Sequence, residues 1–188
     1  TDGGRFEDAE AAIAHAYRLL EEGADILDVG GESSRPGAAP VSEDEELRRV
    51  LPVVRQLRDV PVSVDTRKPG VMRAAVDFGA SMINDIEALS EPGALEAVAK
   101  SQCAVCLMHK KGDPATMQRA PHYDDVVGEV SLFLESSIAR ARQAGIVIIQ
   151  YTMAVVTWWN SHHQRADSAV TGSIVPRSSA SITSAMFW

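Results

Sequence analysis

Helical and strand patterns alternate along most of the chain, from its first residues to about residue 145. Apolar residues recurring every three or four positions mark each predicted helix, and short apolar runs between turn residues mark each predicted strand. The predicted order is helix 7–22, strand 25–29, a helix capped by Ser42 and running to Leu57, strand 62–65, helix 66–79, strand 81–84, a helix started by Ser90 and Pro92, strand 104–108 and helix 126–145. This alternation predicts an α/β fold with a parallel sheet and right-handed crossovers.

Two parallel architectures fit this order, a (β/α)8 barrel and an open doubly wound sheet. No Gly-x-Gly-x-x-Gly follows any predicted strand, so the nucleotide-binding form of the doubly wound sheet loses support and the barrel is favoured. A closed barrel needs eight strands, and the sequence has only four convincing ones. The predicted fold is therefore an α/β TIM (β/α)8 barrel that is incomplete in this chain.

Composition narrows the kinds of partner. The 188 residues, 45% hydrophobic and 23% charged, suffice for one domain with a sizeable core. A formal net charge of -8 argues against nucleic acid or an anionic membrane surface as the main partner. The sequence has neither a signal-peptide pattern nor an apolar stretch near the ~20 residues of a membrane span. We therefore expect a cytoplasmic protein in which local cations or a metal ion meet any anionic substrate.

The two cysteines lie in one apolar run, Cys103-Ala-Val-Cys106-Leu-Met. A redox or metal-binding pair would need a helix N-terminus or a second pair of ligands beside it. Because the sequence offers neither, buried reduced thiols in a cytosolic core are the favoured interpretation.

The composition changes abruptly in residues 146–188. This segment has only Arg165, Asp167 and Arg177 as charged residues, yet it contains all three tryptophans and seven serines. Apart from a possible strand at 146–149, it lacks the agreement between local signals that marks the preceding part. We expect a poorly structured or foreign tail, such as a frame-shifted or recombinant end; an unusual folded C-terminal region is the alternative. His162 and His163 lie here without other ligands and receive no role.

Each confident strand ends in polar residues. These ends are Asp28 followed by Ser33-Ser34-Arg35, Asp65-Thr66-Arg67-Lys68, Asn84-Asp85, and His109-Lys110-Lys111. In a parallel sheet they converge on one face, where (β/α) barrels carry their chemistry. Alternatively, Asp65 and Thr66 would cap the next helix and Asn84 would satisfy a turn, but four such ends in a row favour a functional site.

The residue types at these ends indicate what such a site could bind. A buried carboxylate such as Asp65 can accept two parallel hydrogen bonds from the amidine-like edge of a 2-amino-pyrimidinone ring. Asn84 can donate and accept in the same plane, which suits a flat heterocycle. Arg35, Lys110 and Lys111 are candidates for binding anionic groups. His109 is a candidate base or, equally, a histidine of the core.

The chain resembles the dihydropteroate synthase family over residues 1 to about 145. The stretch from Gly23 to Pro36, Gly-Ala-Asp-Ile-Leu-Asp-Val-Gly-Gly-Glu-Ser-Ser-Arg-Pro, resembles the second signature of that family at essentially every constrained position. Further blocks follow in the family's order: Ser63-Val-Asp-Thr66 with Lys68-Pro69, Ile83-Asn-Asp-Ile86, Ser90-Glu-Pro-Gly-Ala-Leu95, Cys106-Leu-Met-His109, Pro114-Ala-Thr-Met-Gln118 and Tyr123-Asp-Asp-Val126. The resemblance predicts a partial barrel over 1–145 and a C-terminal segment over 146–188 that does not match the family.

The resemblance implies a fold, a reaction and a set of site residues. Members adopt a (β/α)8 barrel, bind Mg²⁺ and condense 6-hydroxymethyl-7,8-dihydropterin diphosphate with 4-aminobenzoate to 7,8-dihydropteroate, a folate precursor and the step that sulfonamides target. By resemblance, the pterin-binding residues are Asp65, Asn84 and Ser34. The residues implied for the aminobenzoate and diphosphate are Ser33, Ser34, Arg35, Pro36 and, in the remnant Thr1-Asp-Gly-Gly of the first signature, Asp2. No residue is assigned as an acid or base, and a homodimer is expected of the intact family enzyme.

Several parts of the family's pattern are expected to be missing from this chain. The metal-contacting Asn would lie before residue 1, so no metal ligand is assigned here. The later Asp-Pro-Gly strand, the Ser-Arg-Lys strand and the final Arg-x-His site do not occur after Gly145. Two alternatives therefore stand beside an active synthase: a catalytically inactive fragment of that enzyme, or a pterin-binding domain of the methyltetrahydrofolate methyltransferase type. The Gly-Gly-Glu-Ser-Ser-Arg-Pro loop argues against the second.

Overall fold

The computed structural model describes residues 9–33, 39–112 and 122–146. Helices and strands alternate strictly in this part of the chain. Their bounds are α1 Ala9–Glu21, β1 Leu27–Gly30, α2 Glu43–Gln56, β2 Val62–Asp65, α3 Pro69–Asp77, β3 Met82–Asp85, α4 Ala94–Val98, β4 Ala104–Leu107 and α5 Val126–Gln143. The predicted order is confirmed, and the helix and strand boundaries differ from the prediction by a few residues.

The four strands form one parallel sheet in the order β1-β2-β3-β4. The spatial order equals the chain order and never reverses. A doubly wound sheet would reverse at a switch point, whereas a barrel adds each strand beside the preceding one. Within the described residues the topology is therefore that of part of a (β/α) barrel.

The two faces of the sheet differ in burial. On one face Leu27, Val29, Val62, Val64 and Ile83 are almost fully buried, and they form a core with apolar residues of all five helices. Neighbouring helices pack in chain order, α1 on α2, α2 on α3 and α3 on α4, while α5 packs on β4. The alternate residues of β3 and β4 are half-buried on the opposite face. All helices therefore lie on one side, as they do outside a barrel.

Helix ends follow local chemistry in one case and depart from it in another. The Ser42 hydroxyl accepts a hydrogen bond from the Glu45 N–H at 3.3 Å, as the capping pattern predicts. The prediction that Ser90 and Pro92 start the fourth helix is wrong. That helix begins at Ala94, after Gly93, whose φ of 90° lies in the left-handed region that glycine adopts without steric cost.

Candidate functional site

The carboxyl ends of β1, β2 and β3 bring polar side chains to one face of the sheet. Gly30 is the register partner of Asp65, and Asp65 is the partner of Asn84. Residues directly opposite each other on paired strands point to the same side. Asp65 and Asn84 therefore lie side by side, which confirms the predicted convergence of the strand ends.

Asp28 is a third member of this cluster, and the sequence interpretation gave it no binding role. Its side chain is only 4% exposed, and its Oδ2 accepts a hydrogen bond from Asn84 Nδ2 at 3.4 Å. That bond fixes which way the amide faces. Asn84 Oδ1 is buried and has no hydrogen-bond partner within the described part of the chain, which leaves an unsatisfied acceptor at this site. The signal in the sequence was alternation, since Asp28 lies two residues before Gly30 and shares its face.

Negative charge is concentrated around Asp65. Burial raises the pKa of the Asp65 carboxyl well above its ordinary value, and the nearby carboxylates of Asp28, Glu46, Asp85 and Glu32 raise it further. Asp65 keeps some accessible surface at the end of β2. Hydrogen-bond donors from a ligand would offset both effects, because they favour the ionised form of an acid. The site is therefore suited to a ligand that presents paired donors.

The capping alternative for Asp65 is excluded. The N-cap residue of α3 is Lys68, whose own side chain makes no capping hydrogen bond. The Thr66 hydroxyl accepts a hydrogen bond from the Lys68 N–H at 3.2 Å, so Thr66 shapes the turn between β2 and α3. The Asp65 carboxyl group therefore lies on the face of the sheet opposite the helices, which we call the open face.

Asp85 has a structural role. Its two carboxylate oxygens accept hydrogen bonds from the N–H groups of Glu87, at 2.9 Å, and of Leu89, at 2.7 Å. These bonds hold a turn in which Ala88 and Leu89 have φ values of 50° and 56°, which are costly for residues with a side chain. Asp85 is therefore required for the turn after β3.

We expect Asp85→Asn to destabilise the protein more at low pH than at high pH. Burial raises the pKa of Asp85 to about 6, against the lowering effect of the two backbone hydrogen bonds. Between 3.8 and about 6 the folded state then binds the extra proton, so the stability of the wild type falls as pH rises through this window. Asparagine does not titrate, and urea unfolding should show the gap between the two proteins narrowing by about 2 kcal/mol from pH 4 to pH 8. A gap that stays constant or widens would contradict this assignment.

A buried charge network connects the ends of β1 and β2. Lys68 Nζ lies 2.6 Å from Glu32 Oε2 and also forms an ion pair with Glu46 of α2. Arg67 Nε lies 3.4 Å from the same Glu32 oxygen. We call Glu32, Glu46 and Lys68 the lysine network. Lys68 belongs to one of the sequence blocks that resemble the family, but its two carboxylate partners could not be predicted from the sequence.

The side chains that follow β4 form ion pairs and ring contacts with neighbouring side chains. Lys110 pairs with Glu87 at 2.9 Å and Lys111 pairs with Glu129 at 2.6 Å. The His109 ring stands edge-on to Phe133, with centroids 5.0 Å apart. Burial and the Lys111 charge lower the pKa of His109. These contacts favour the core interpretation of His109 over that of a base.

The cysteines are free thiols, as predicted from the sequence. Burial raises the pKa of both Cys103 and Cys106 to about 11, so neither is a thiolate near neutral pH.

In residues 9–33, 39–112 and 122–146 there is no group of three or more His, Cys, Asp or Glu side chains placed to hold a metal ion. Mg²⁺ usually binds through only one or two carboxylates together with waters and substrate phosphates, so its presence stays a prediction.

The loop between β1 and α2 contains most of the other predicted site residues. Ser33 is half-buried beside Glu32. Ser34, Arg35, Pro36 and Asp2 lie outside the described residues, as do residues 147–188. A cleft of about 410 Å³ opens beside the loop, and Asp65 and Asn84 are not part of its wall; it is lined by Ser33, Ala39, Pro40, Val41, Ser42, Glu45 and Arg49.

Comparison with known proteins places the chain in a family. The family model described as "Pterin binding enzyme" matches residues 1–151. The chain belongs to the pterin-binding enzyme family. The resemblance found in the sequence is thereby confirmed, and the match runs to residue 151, six residues beyond the predicted end at 145.

Individual relatives resemble the chain in sequence and in fold. The dihydropteroate synthase of Escherichia coli K12 is 54% identical over 149 residues, which are 78% of this chain and 53% of that protein. A Yersinia pestis dihydropteroate synthase solved with a sulfonamide drug superposes with a TM-score of 0.75 at 49% identity, over 78% of this chain and 55% of the other. A Xanthomonas albilineans dihydropteroate synthase solved with 4-aminobenzoic acid gives a TM-score of 0.71 at 55% identity, over 81% and 55%.

These comparisons confirm the predicted fold class, a partial TIM barrel of the pterin-binding type. The chain spans about half the length of the relatives it matches. None of the described helices is long and apolar enough to cross a membrane. The predicted boundary between residues 145 and 146 stays a prediction.

Proposed function

We propose that the protein functions in dihydropteroate synthesis and that residues 9–112 contribute the pterin-recognition half of the site. The observation that supports this most directly is the pairing of Asp65 with Asn84 on the open face of the sheet. Relatives that share about half of the sequence are named dihydropteroate synthase. An enzyme of this kind is a transferase that condenses 6-hydroxymethyl-7,8-dihydropterin diphosphate with 4-aminobenzoate.

The pterin ring matches the polarity of this pair. Its 2-amino group and adjacent ring N–H form a planar edge of two donors, which the Asp65 carboxylate can accept in parallel. Asn84 Nδ2 is directed to Asp28, so the amide presents its Oδ1 to a further ring donor. Proposed pterin contacts are therefore Asp65 and Asn84, with Asp28 orienting the amide and Ser34 as the third predicted contact.

The second substrate is proposed to meet the β1–α2 loop. A relative was solved with 4-aminobenzoic acid bound, which supports a small aromatic acid as ligand. In this chain Ser33, Ser34, Arg35, Pro36 and Asp2 remain the predicted contacts, with the guanidinium of Arg35 suited to a carboxylate or a phosphate. The homodimer and the cytoplasmic location also remain predictions.

The proposed reaction needs no covalent enzyme intermediate. The bond between the pterin methylene carbon and the diphosphate oxygen breaks, the diphosphate leaves with the electron pair, and the amine nitrogen of 4-aminobenzoate bonds to the methylene carbon. The nitrogen then loses one proton. The described residues hold the ring by hydrogen bonds rather than by acid–base chemistry. Mg²⁺ stays a prediction, and no step is assigned to it.

Binding and turnover, measured separately on the purified chain, test this proposal. We expect calorimetry to show stoichiometric binding of the pterin diphosphate, and chromatography to show dihydropteroate formed from it and 4-aminobenzoate. Binding without turnover would support the inactive-fragment alternative. Absence of pterin binding by a cooperatively folded chain would overturn the proposal.

A further inference from the structure

We propose that Lys68 is a positioning residue that holds both flanks of the β1–α2 loop against the end of β2 through the lysine network. The inference rests on the proposed function, in which the β1–α2 loop places the aromatic acid substrate. Lys68 would then act on that substrate through the loop. It concerns the described flanks of the loop, residues 31–33 and 39–42.

Glu32 joins the two flanks. Its backbone belongs to the start of the loop, directly after β1 and Gly31. Its Oε1 accepts a hydrogen bond from the Val41 N–H at 3.1 Å, nine residues later, where the chain returns toward α2. One carboxyl group therefore fixes the separation of the two flanks.

Lys68 connects this carboxyl group to the pterin side of the site. Its Nζ lies 2.6 Å from Glu32 Oε2, and its own N–H donates to the Thr66 hydroxyl. Thr66 directly follows Asp65 in the chain. A displacement of Lys68 would therefore move the loop flanks relative to the predicted pterin contact.

The burial of its side chains indicates that the lysine network fixes the positions of the loop flanks rather than adding to the stability of the protein. The side chains of Lys68 and Glu46 are 14% and 1% exposed. Removing charges of this kind from water costs about as much as their attraction returns, so such pairs are weak sources of stability. Burial would raise the pKa of Glu32, yet the hydrogen bonds from Lys68 and Val41 and the charges of Lys68 and Arg67 lower it. Glu32 is thus held ionised in one orientation.

A purely structural role, fastening α2 to α3, explains less. Those helices already have a separate fastening, because Glu43 of α2 accepts a hydrogen bond from the Gly70 N–H of α3 at 3.0 Å. Fastening the helices needs only the Lys68–Glu46 pair. It does not need Glu32, which belongs to neither helix and holds Val41 instead.

The test uses Lys68→Met, Lys68→Arg and the charge-matched control Lys100→Met on the full chain. Lys100 lies exposed after α4. We expect Lys68→Met to speed amide hydrogen exchange at Val41 about tenfold or more, while the Glu45 amide, bonded to Ser42, changes as little as in the control. We expect the KM for 4-aminobenzoate to rise on the order of tenfold, with less than about a threefold change in pterin affinity. Lys68→Arg should restore most of both effects.

The outcomes separate this inference from the proposed function. Val41 exchange that responds no more to Lys68→Met than to Lys100→Met would overturn the inference whether or not the chain turns over. Faster Val41 exchange with an unchanged KM for 4-aminobenzoate would also overturn it, since the network would then be structural only. If the wild type bound neither substrate, the proposed function would fail, and the substrate placement inferred here would fail with it. The exchange rate of the Val41 amide would still decide whether Lys68 holds the loop flanks.

Discussion

Replacing Asp65 by asparagine is expected to weaken binding of the pterin substrate about 100-fold or more. The carboxylate can accept two parallel hydrogen bonds, whereas an amide offers one acceptor and turns an N–H₂ group toward a ligand donor. Losing one charge-assisted bond and leaving a buried donor unpaired costs about 3 kcal/mol, which corresponds to about two orders of magnitude in Kd. Isothermal titration of the pterin diphosphate into each protein measures the difference.

The pH dependence of binding distinguishes loss of the carboxylate from a general loss of structure. Burial, together with the charges of Asp28, Glu46, Asp85 and Glu32, raises the pKa of Asp65 in the free protein. Accepting two hydrogen bonds requires the ionised form. Wild-type affinity should therefore fall as pH is lowered through this raised pKa, and binding below it should release a proton. The Asp65→Asn variant should lack this component.

The matched control for Asp65 is Asp77→Asn, which makes the same chemical change at the exposed end of α3. It should bind the pterin like the wild type and keep its pH profile. Equal affinities for wild type and Asp65→Asn, in proteins that unfold cooperatively, would remove Asp65 from the site and with it the principal support for pterin recognition.

The parts of the fold that could be predicted from the sequence are those with local signals. The Ser42 cap, the strand at 62–65 and the polar strand ends each depend on a few neighbouring residues, and the structure confirms them. The start of α4 could not be predicted in this way. Ser90 and Pro92 resemble a helix start, but Asp85 holds the preceding turn and Gly93 takes a left-handed conformation, so the helix begins later.

The members of the site that were missed depend on contacts between distant segments. Lys68 follows β2, Glu32 follows β1 and Glu46 lies on a helix between them. A buried glutamate on a helix looks like any surface glutamate in the sequence, because its burial is decided by what packs over it. Asp28 was noted as a polar residue, yet its bond to Asn84 spans 56 residues. Such pairings follow from the register of the sheet and cannot be obtained from spacing.

Gly31→Ala is expected to have the largest effect on stability of the changes considered, about 3 kcal/mol. Gly31 is buried where β1 meets α2. A Cβ there would lie 2.7 Å from Glu46 Cγ, 2.9 Å from Val50 Cγ2 and 3.2 Å from the Glu46 carbonyl oxygen. These atoms belong to a helix backbone and to the inner parts of buried side chains, so they cannot move aside without shifting α2 itself. Urea unfolding measures the loss, and Glu46 should be displaced from Lys68.

Gly70→Ala provides the comparison that makes this prediction specific. Its added Cβ would be closer still to a neighbour, Glu43 Oε1, but that atom is the outer end of a flexible, exposed side chain. The Glu43 carboxylate can rotate away at the cost of its hydrogen bond to the Gly70 N–H, and alanine offsets part of this through its better helix propensity. We therefore expect Gly70→Ala to stay within about 1 kcal/mol of the wild type. Equal losses of stability for the two variants would mean that α2 can shift at the end of β1 as easily as an exposed carboxylate rotates. In that case α2 would not hold Glu46 at a fixed position in the lysine network.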